Sequence, residues 1–139
     1  MTDPNAPNLT DADRAHNLYE SGRTLMGAGE LERAIQAFSD SVAIYPHFKC
    51  LELMGECFLA LGHPTQAVAP LAAATTLNRQ VRAPSLLAQA LLSIGEYRRA
   101  AELATSVLAR SPGNRVAQAV LANPSVRQAL QALTDDGTA

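Results

Sequence analysis

His47, Cys50 and Cys57 are the residues of this chain best suited to hold a soft metal, because imidazole and thiolate are good zinc ligands. Their spacing argues against that chemistry. No Cys-x-x-Cys pair is present, and on a helix the seven positions from Cys50 to Cys57 set their Cα atoms about 10 Å apart. One tetrahedral ion does not readily reach both, and a disulfide needs its Cα atoms within about 7 Å. Two free thiols serving as small core residues are expected, with a thiol- or metal-binding protein using Cys50 and Cys57 as a competing reading. Acid–base chemistry is no better supported. Glu52 and Glu56 are four apart on one helix face, which reads as a solvated surface pair. No glycine-rich phosphate loop follows a strand, and neither a nucleophile elbow nor a His-Glu-x-x-His motif occurs. A protein without enzymatic activity, cofactor or metal is expected.

The 139 residues are 47% hydrophobic, 17% charged and 4% aromatic, and tryptophan is absent. Ala- and Leu-rich chains of this kind suit closely packed helices and suit strands poorly, so an all-α fold is expected. The net charge is −2 and Lys49 is the single lysine, so no basic field exists to hold a phosphate backbone, and nucleic acid is not expected as a partner. The first residues are polar and acidic, with neither the basic nor the apolar region of an export signal. No apolar run approaches bilayer-spanning length, so a cytoplasmic protein without membrane insertion is expected.

The organisation of the chain is periodic. Gly29, Gly62 and Gly95 stand 33 apart, each five residues before an alanine, Ala34, Ala67 and Ala100. Leu25, Phe58 and Leu91 keep the same step, as do Gly22, Gly55 and Ala88, then Phe38, Leu71 and Ala104, then Ser41, Ala74 and Val107. A fixed period of this size means that each unit is one supersecondary element, burying its apolar face by stacking on its neighbours. Function then belongs on a surface rather than in a catalytic pocket.

After an N-terminal tail over residues 1–9, three helix pairs are expected at about 11–46, 49–78 and 84–112, then capping helices over 113–135 and a tail over 136–139. Thr10 is a suitable N-cap, with Asp11 and Asp13 at the positive end of the helix dipole. Pro64 suits a first helical turn. Pro70 falls inside a predicted helix, where a break or bend is expected at a cost of about 3 kcal/mol. Pro84 is taken as a helix start, leaving 80–83 as loop. Asn123-Pro124 stops one short helix and starts the last, whose stripe of Val126, Leu130 and Leu133 fits a terminal lid.

These columns resemble the tetratricopeptide repeat. The first unit shows Leu18, Gly22, Leu25, Gly29, Ala34, Phe38, Ser41 and Pro46; the second Leu51, Met54-Gly55, Phe58, Gly62, Ala67, Leu71 and Ala74; the third Leu87-Ala88, Leu91, Gly95, Ala100 and Pro112. Ankyrin shares the period, but its Thr-Pro-Leu-His stretch is missing. Arg79, Pro84, Ala104 and Val107 depart from the pattern, so the junction of the second and third units is the least regular. The resemblance implies a right-handed α-solenoid of stacked antiparallel helix pairs.

It also implies a concave groove, lined by the first helix of each pair, that takes a peptide or helical segment of another protein. The groove positions carried over are His16, Tyr19, Arg23 and Met26, then Lys49, Glu52, Glu56 and Leu59, then Ser85, Gln89 and Leu92. Met26, Leu59 and Leu92 form a column that reads equally as an apolar strip for a partner and as intramolecular packing. Some members hold the acidic C-terminus of molecular chaperones through Lys, Asn, Asn, Lys and Arg. The corresponding positions here carry Tyr19, Arg23, Leu53, Ser85 and Gln89, so that clamp is absent. The function implied is an adaptor or assembly scaffold. A dedicated secretion or assembly chaperone is the alternative, for which the Gly55–Cys57 run offers a similarity to bacterial secretion chaperones. Self-association through Ala-rich terminal faces is left open.

Overall fold

Thr10 opens the first helix with a reciprocal cap. Its hydroxyl oxygen accepts from the Asp13 backbone N–H at 3.1 Å, and the Asp13 carboxylate accepts from the Thr10 N–H at 3.1 Å. Hydrogen bonding to Thr10, through its side chain and then its backbone, holds the Asp13 carboxyl below the ordinary aspartate range. The computed structural model describes Pro4 and residues 8–137; most of the tail expected over residues 1–9 lies outside these, as do residues 138 and 139.

Eight α-helices and no strands occur among the described residues: α1 Asp11–Gly27, α2 Leu31–Ile44, α3 Phe48–Ala60, α4 Pro64–Leu77, α5 Arg82–Ser93, α6 Tyr97–Arg110, α7 Arg115–Ala122 and α8 Pro124–Gly137. The last continues past the tail start expected at 136.

The glycine column has a backbone cause. Gly29, Gly62 and Gly95 adopt φ of 79°, 78° and 83°, and each is the left-handed residue that ends the first helix of a pair. The hydrogen bonds repeat with it. Glu30 N–H reaches the Leu25 carbonyl at 2.9 Å, His63 N–H that of Phe58 at 2.8 Å, and Glu96 N–H that of Leu91 at 2.9 Å. The same turn is therefore made three times, and it sends the second helix of each pair back along the first.

Close approach within the pairs rests on matched sizes. A methyl group on Gly22 would fall within the Phe38 ring, and one on Gly55 would fall within the Leu71 side chain. In the third pair the column holds Ala88, and Ala104 stands where Phe38 and Leu71 stood; both alanines are fully buried in one core cluster. The departure at Ala104 is thus offset across the helix interface, where one side chain has gained a methyl and its counterpart has shrunk.

Two prolines behave differently from expectation. Helix α4 runs unbroken through Pro70. Gln66, whose carbonyl Pro70 leaves without an N–H, is exposed to water, while the Pro70 ring is buried. Helix α5 begins at Arg82 rather than Pro84, with Val81 as its cap. Pro84 is then the third helical residue, still in the first turn where an N–H has no intrahelical acceptor.

The core is distributed along the stack. Phe38, Cys50, Leu53 and Cys57 form one cluster, Leu71, Leu86 and Ala90 another, and Val107, Val120 and Val126 a third that α7 and α8 close over α6. The first helices of successive pairs touch in sequence, α3 with α5 and α5 with α7, while α8 packs on α6.

Candidate partner-binding groove

Helices α1, α3 and α5 carry the expected groove positions, but do not present them equally. His16, Arg23 and Gln89 are exposed; Tyr19, Met26, Lys49, Glu56, Leu59 and Leu92 are half-buried; Glu52 and Ser85 are buried. Met26, Leu59 and Leu92 each pack against a different core cluster while keeping part of their surface open. Arg23 pairs with Glu20 at 3.6 Å and lies over the Tyr19 ring, 5.8 Å from its centre.

Glu52 is the departure with the largest consequence. Its side chain is 1% exposed, and its Oε1 lies 2.9 Å from Lys49 Nζ and 3.3 Å from Arg82 Nε. Arg82 also reaches Glu56. Glu52 and Glu56 are therefore not a solvated pair; cations from α3 and α5 fold over them. Ser85 is likewise committed, donating its hydroxyl to the Arg82 carbonyl at 2.7 Å. An ionised carboxylate is buried only when paired and hydrogen-bonded, and Glu52 has both cations in place.

Arg82 was not among the expected groove residues because residues 80–83 read as loop. A signal was nonetheless present: His16, Lys49, Arg82 and Arg115 stand 33 apart and repeat a basic or titratable residue at one register. Arg115 falls in the expected capping helices, outside the carried-over groove positions. With Val116 and Ala119 of α7 it lines a cleft of about 450 Å³ shared with Gln89 and Leu92 of α5, one helix beyond the third pair.

At the other end, His16 and Tyr19 stand at a pocket of about 360 Å³ between α1 and α3, floored by the end of α2. Cys50 lies at its base, and Cys57 sits deeper, beside Phe38 and Ala34. Burial raises the pKa of both thiols, that of Cys57 to about 11. Both are free, and among the described residues no three of His, Cys, Asp and Glu gather as a metal set.

The tetratricopeptide repeat family model matches residues 19–85 and again residues 52–115, two matches whose starts are 33 residues apart. The chain belongs to the tetratricopeptide repeat family. That family is a protein-interaction fold. Among curated proteins, none matches the chain by sequence. Solved structures do match. The first such domain of Spaghetti (RPAP3), bound to the HSP90 peptide SRMEEVD, has a TM-score of 0.75 at 22% identity, covering 90% of this chain and 97% of that one. The second domain of human RPAP3, in complex with the HSP70 peptide SGPTIEEVD, has a TM-score of 0.75 at 18% identity over 86% and 98%. MamA residues 41 to the end, from Desulfovibrio magneticus RS-1, has a TM-score of 0.73 at 20% identity over 87% and 72%. At such identities the likeness is one of fold. No helix of the described residues of this tetratricopeptide protein is long and apolar enough to cross a membrane.

Proposed function

We propose that the chain is a non-catalytic, cytoplasmic adaptor or assembly module that binds a peptide or helical segment of a partner protein along its concave face. The observation that carries this reading is the register of Met26, Leu59 and Leu92. One half-buried apolar residue per repeat keeps a face toward the groove, at a spacing an extended or helical segment follows with successive apolar anchors. Exposed Arg23 and Gln89 flank that strip and supply polar selection. The RPAP3 domains hold chaperone peptides ending in Glu-Glu-Val-Asp. Tyr19, Arg23, Leu53, Ser85 and Gln89 do not reproduce the clamp for such a terminus, and Leu53 and Ser85 are buried, so the partner segment is of another kind.

Affinity capture from cell lysate with the wild-type chain and with Gln89→Arg and Leu59→Ser variants tests this. Circular dichroism first establishes that each variant is folded. Gln89 is exposed, so its replacement alters the groove without touching the core. A protein retained by the wild type and lost by both variants supports the reading; an identical captured set for all three overturns it.

A further inference from the structure

The two junctions between successive repeats differ at equivalent positions. Where α3 meets α5, Glu52 of α3 pairs with Arg82 of α5, and Leu51, Ala74 and Ala83 pack beside them. One period earlier the same positions carry Tyr19 and Lys49, which cannot form an ion pair. Lys49 turns to Glu52 instead, at 2.9 Å. Helix α1 approaches α3 less closely than α3 approaches α5, although Tyr19 and Met26 pack against the α3 residues Cys50, Leu53 and Cys57. A pocket of about 360 Å³ lies at the α1–α3 junction.

From this geometry, and resting on the reading of the concave face as the partner's site, we propose that the α1–α3 pocket receives an aromatic side chain of the partner segment. Its walls are rings. Tyr19 lies 6.2 Å from His47 at an interplanar angle of 59° and 6.3 Å from His16 at 45°, the tilted geometry in which aromatic rings pack favourably. Tyr45, 59% exposed, stands at the rim. The floor offers no free polar group. Ser41 donates to the Ala15 carbonyl at 2.6 Å.

Charge selects the same occupant. No Asp, Glu, Lys or Arg lines the pocket, and the cations of the adjoining helix turns are paired, Arg14 with Asp11, Arg23 with Glu20 and the Tyr19 face, and Lys49 with Glu52. An uncharged site bordered by occupied charges complements an uncharged group and penalises a charged one by desolvation. The volume lies at the small end of ligand pockets, enough for one side chain and too little for a helix. Phe38, which stands 6.2 Å from Tyr19, does not fill the pocket, being fully buried against Gly22.

The absence of tryptophan makes the test direct, because indole emission excited at the red edge reports the probe alone. N-acetyltryptophanamide titrated with the wild-type protein is expected to show a saturable blue shift. Ala12→Phe, at an exposed position on the lip, and Tyr45→Ala, at the rim, are each expected to weaken it by about tenfold, the scale of losing one anchor contact. Leu92→Ala, in the far cleft, is expected to leave it unchanged. The proposal is overturned if no saturable shift occurs, if both pocket variants bind as the wild type does, or if N-acetylleucinamide or tetramethylammonium displaces the probe equally well. Because the free probe needs no partner protein, its failure is distinct from failure of the capture experiment with Gln89→Arg.

Discussion

Arg82 Nε lies 3.3 Å from Oε1 of Glu52, joining the first helix of the third repeat to that of the second through a carboxylate that is 1% exposed. The arginine itself is half in water, 53% exposed, so the pair is a lid over a buried charge rather than a fully buried bridge. Removing the arginine leaves Glu52 to Lys49 alone. Arg82→Ala is expected to cost about 1–2 kcal/mol, below the 3–5 kcal/mol of a fully buried pair. In urea denaturation, a double-mutant cycle of Arg82→Ala with Glu52→Gln is expected to give a coupling above that of the exposed Arg98–Glu102 pair, for which about 0.3–0.5 kcal/mol is typical. Equal couplings would mean that Glu52 is solvated.

The Gly22–Phe38 contact predicts non-additivity. Gly22→Ala alone is expected to destabilise by about 1–3 kcal/mol through overpacking against the ring. Phe38→Ala alone is expected to cost about 3–5 kcal/mol by leaving a cavity. Together they recreate the Ala88–Ala104 arrangement of the third repeat. The double variant is therefore expected to be more stable than the sum of the single effects, as thermal and urea unfolding would register; simple additivity would show that the two residues do not oppose each other.

Gly62, in the α3–α4 turn, and Gly27, at the end of α1, are expected to respond to alanine with opposite sign. Gly62 has a φ of 78°, so Gly62→Ala strains the backbone and is expected to cost about 1–2 kcal/mol. Gly27 lies at the end of α1 without a positive φ and with open space around its Cα, so Gly27→Ala is expected to stabilise by about 0.4–1 kcal/mol. Melting temperatures moving in the same direction for both would contradict the assigned turn geometry.

Burial of Cys57 sets a pH dependence. The thiol titrates near 9.0 in the unfolded chain and at about 11 in the folded one. Between those values the unfolded chain has released a proton that the folded chain keeps. Stability is therefore full below about pH 9 and falls as pH rises toward about 11. Cys57→Ala is expected to flatten that fall relative to the wild type when urea midpoints are compared across this range. A slope unchanged by the substitution would assign the alkaline loss to other groups.

Much of the fold was legible because its causes are local. The starts of α1 and α4 follow from Thr10 and Pro64, and the three turns follow from glycines that take φ values other residues avoid. Where local rules failed, a proline was involved. Pro84 looked like a helix start, and reading it so hid Arg82, the residue that closes the α3–α5 junction. Pro70 looked like a break, yet the helix runs through it, with its ring buried and Gln66 exposed to water. Of the groove, the apolar column Met26, Leu59 and Leu92 could be read from the period, whereas the burial of Glu52 and Ser85 could not, since an exposed and a buried glutamate have the same place in a repeat.

By itself, the sequence determined the repeat and its helix pairs, because a 33-residue period constrains backbone turns and apolar faces within each unit. The tertiary structure alone decided which junction closes and which stays open. Whether Glu52 becomes a locked ion pair, and whether Tyr19 becomes the wall of a pocket, depends on which side chain of the next repeat arrives within a few ångströms. That distance is set by how closely the helices approach one another, a property of the packed stack that no single unit carries.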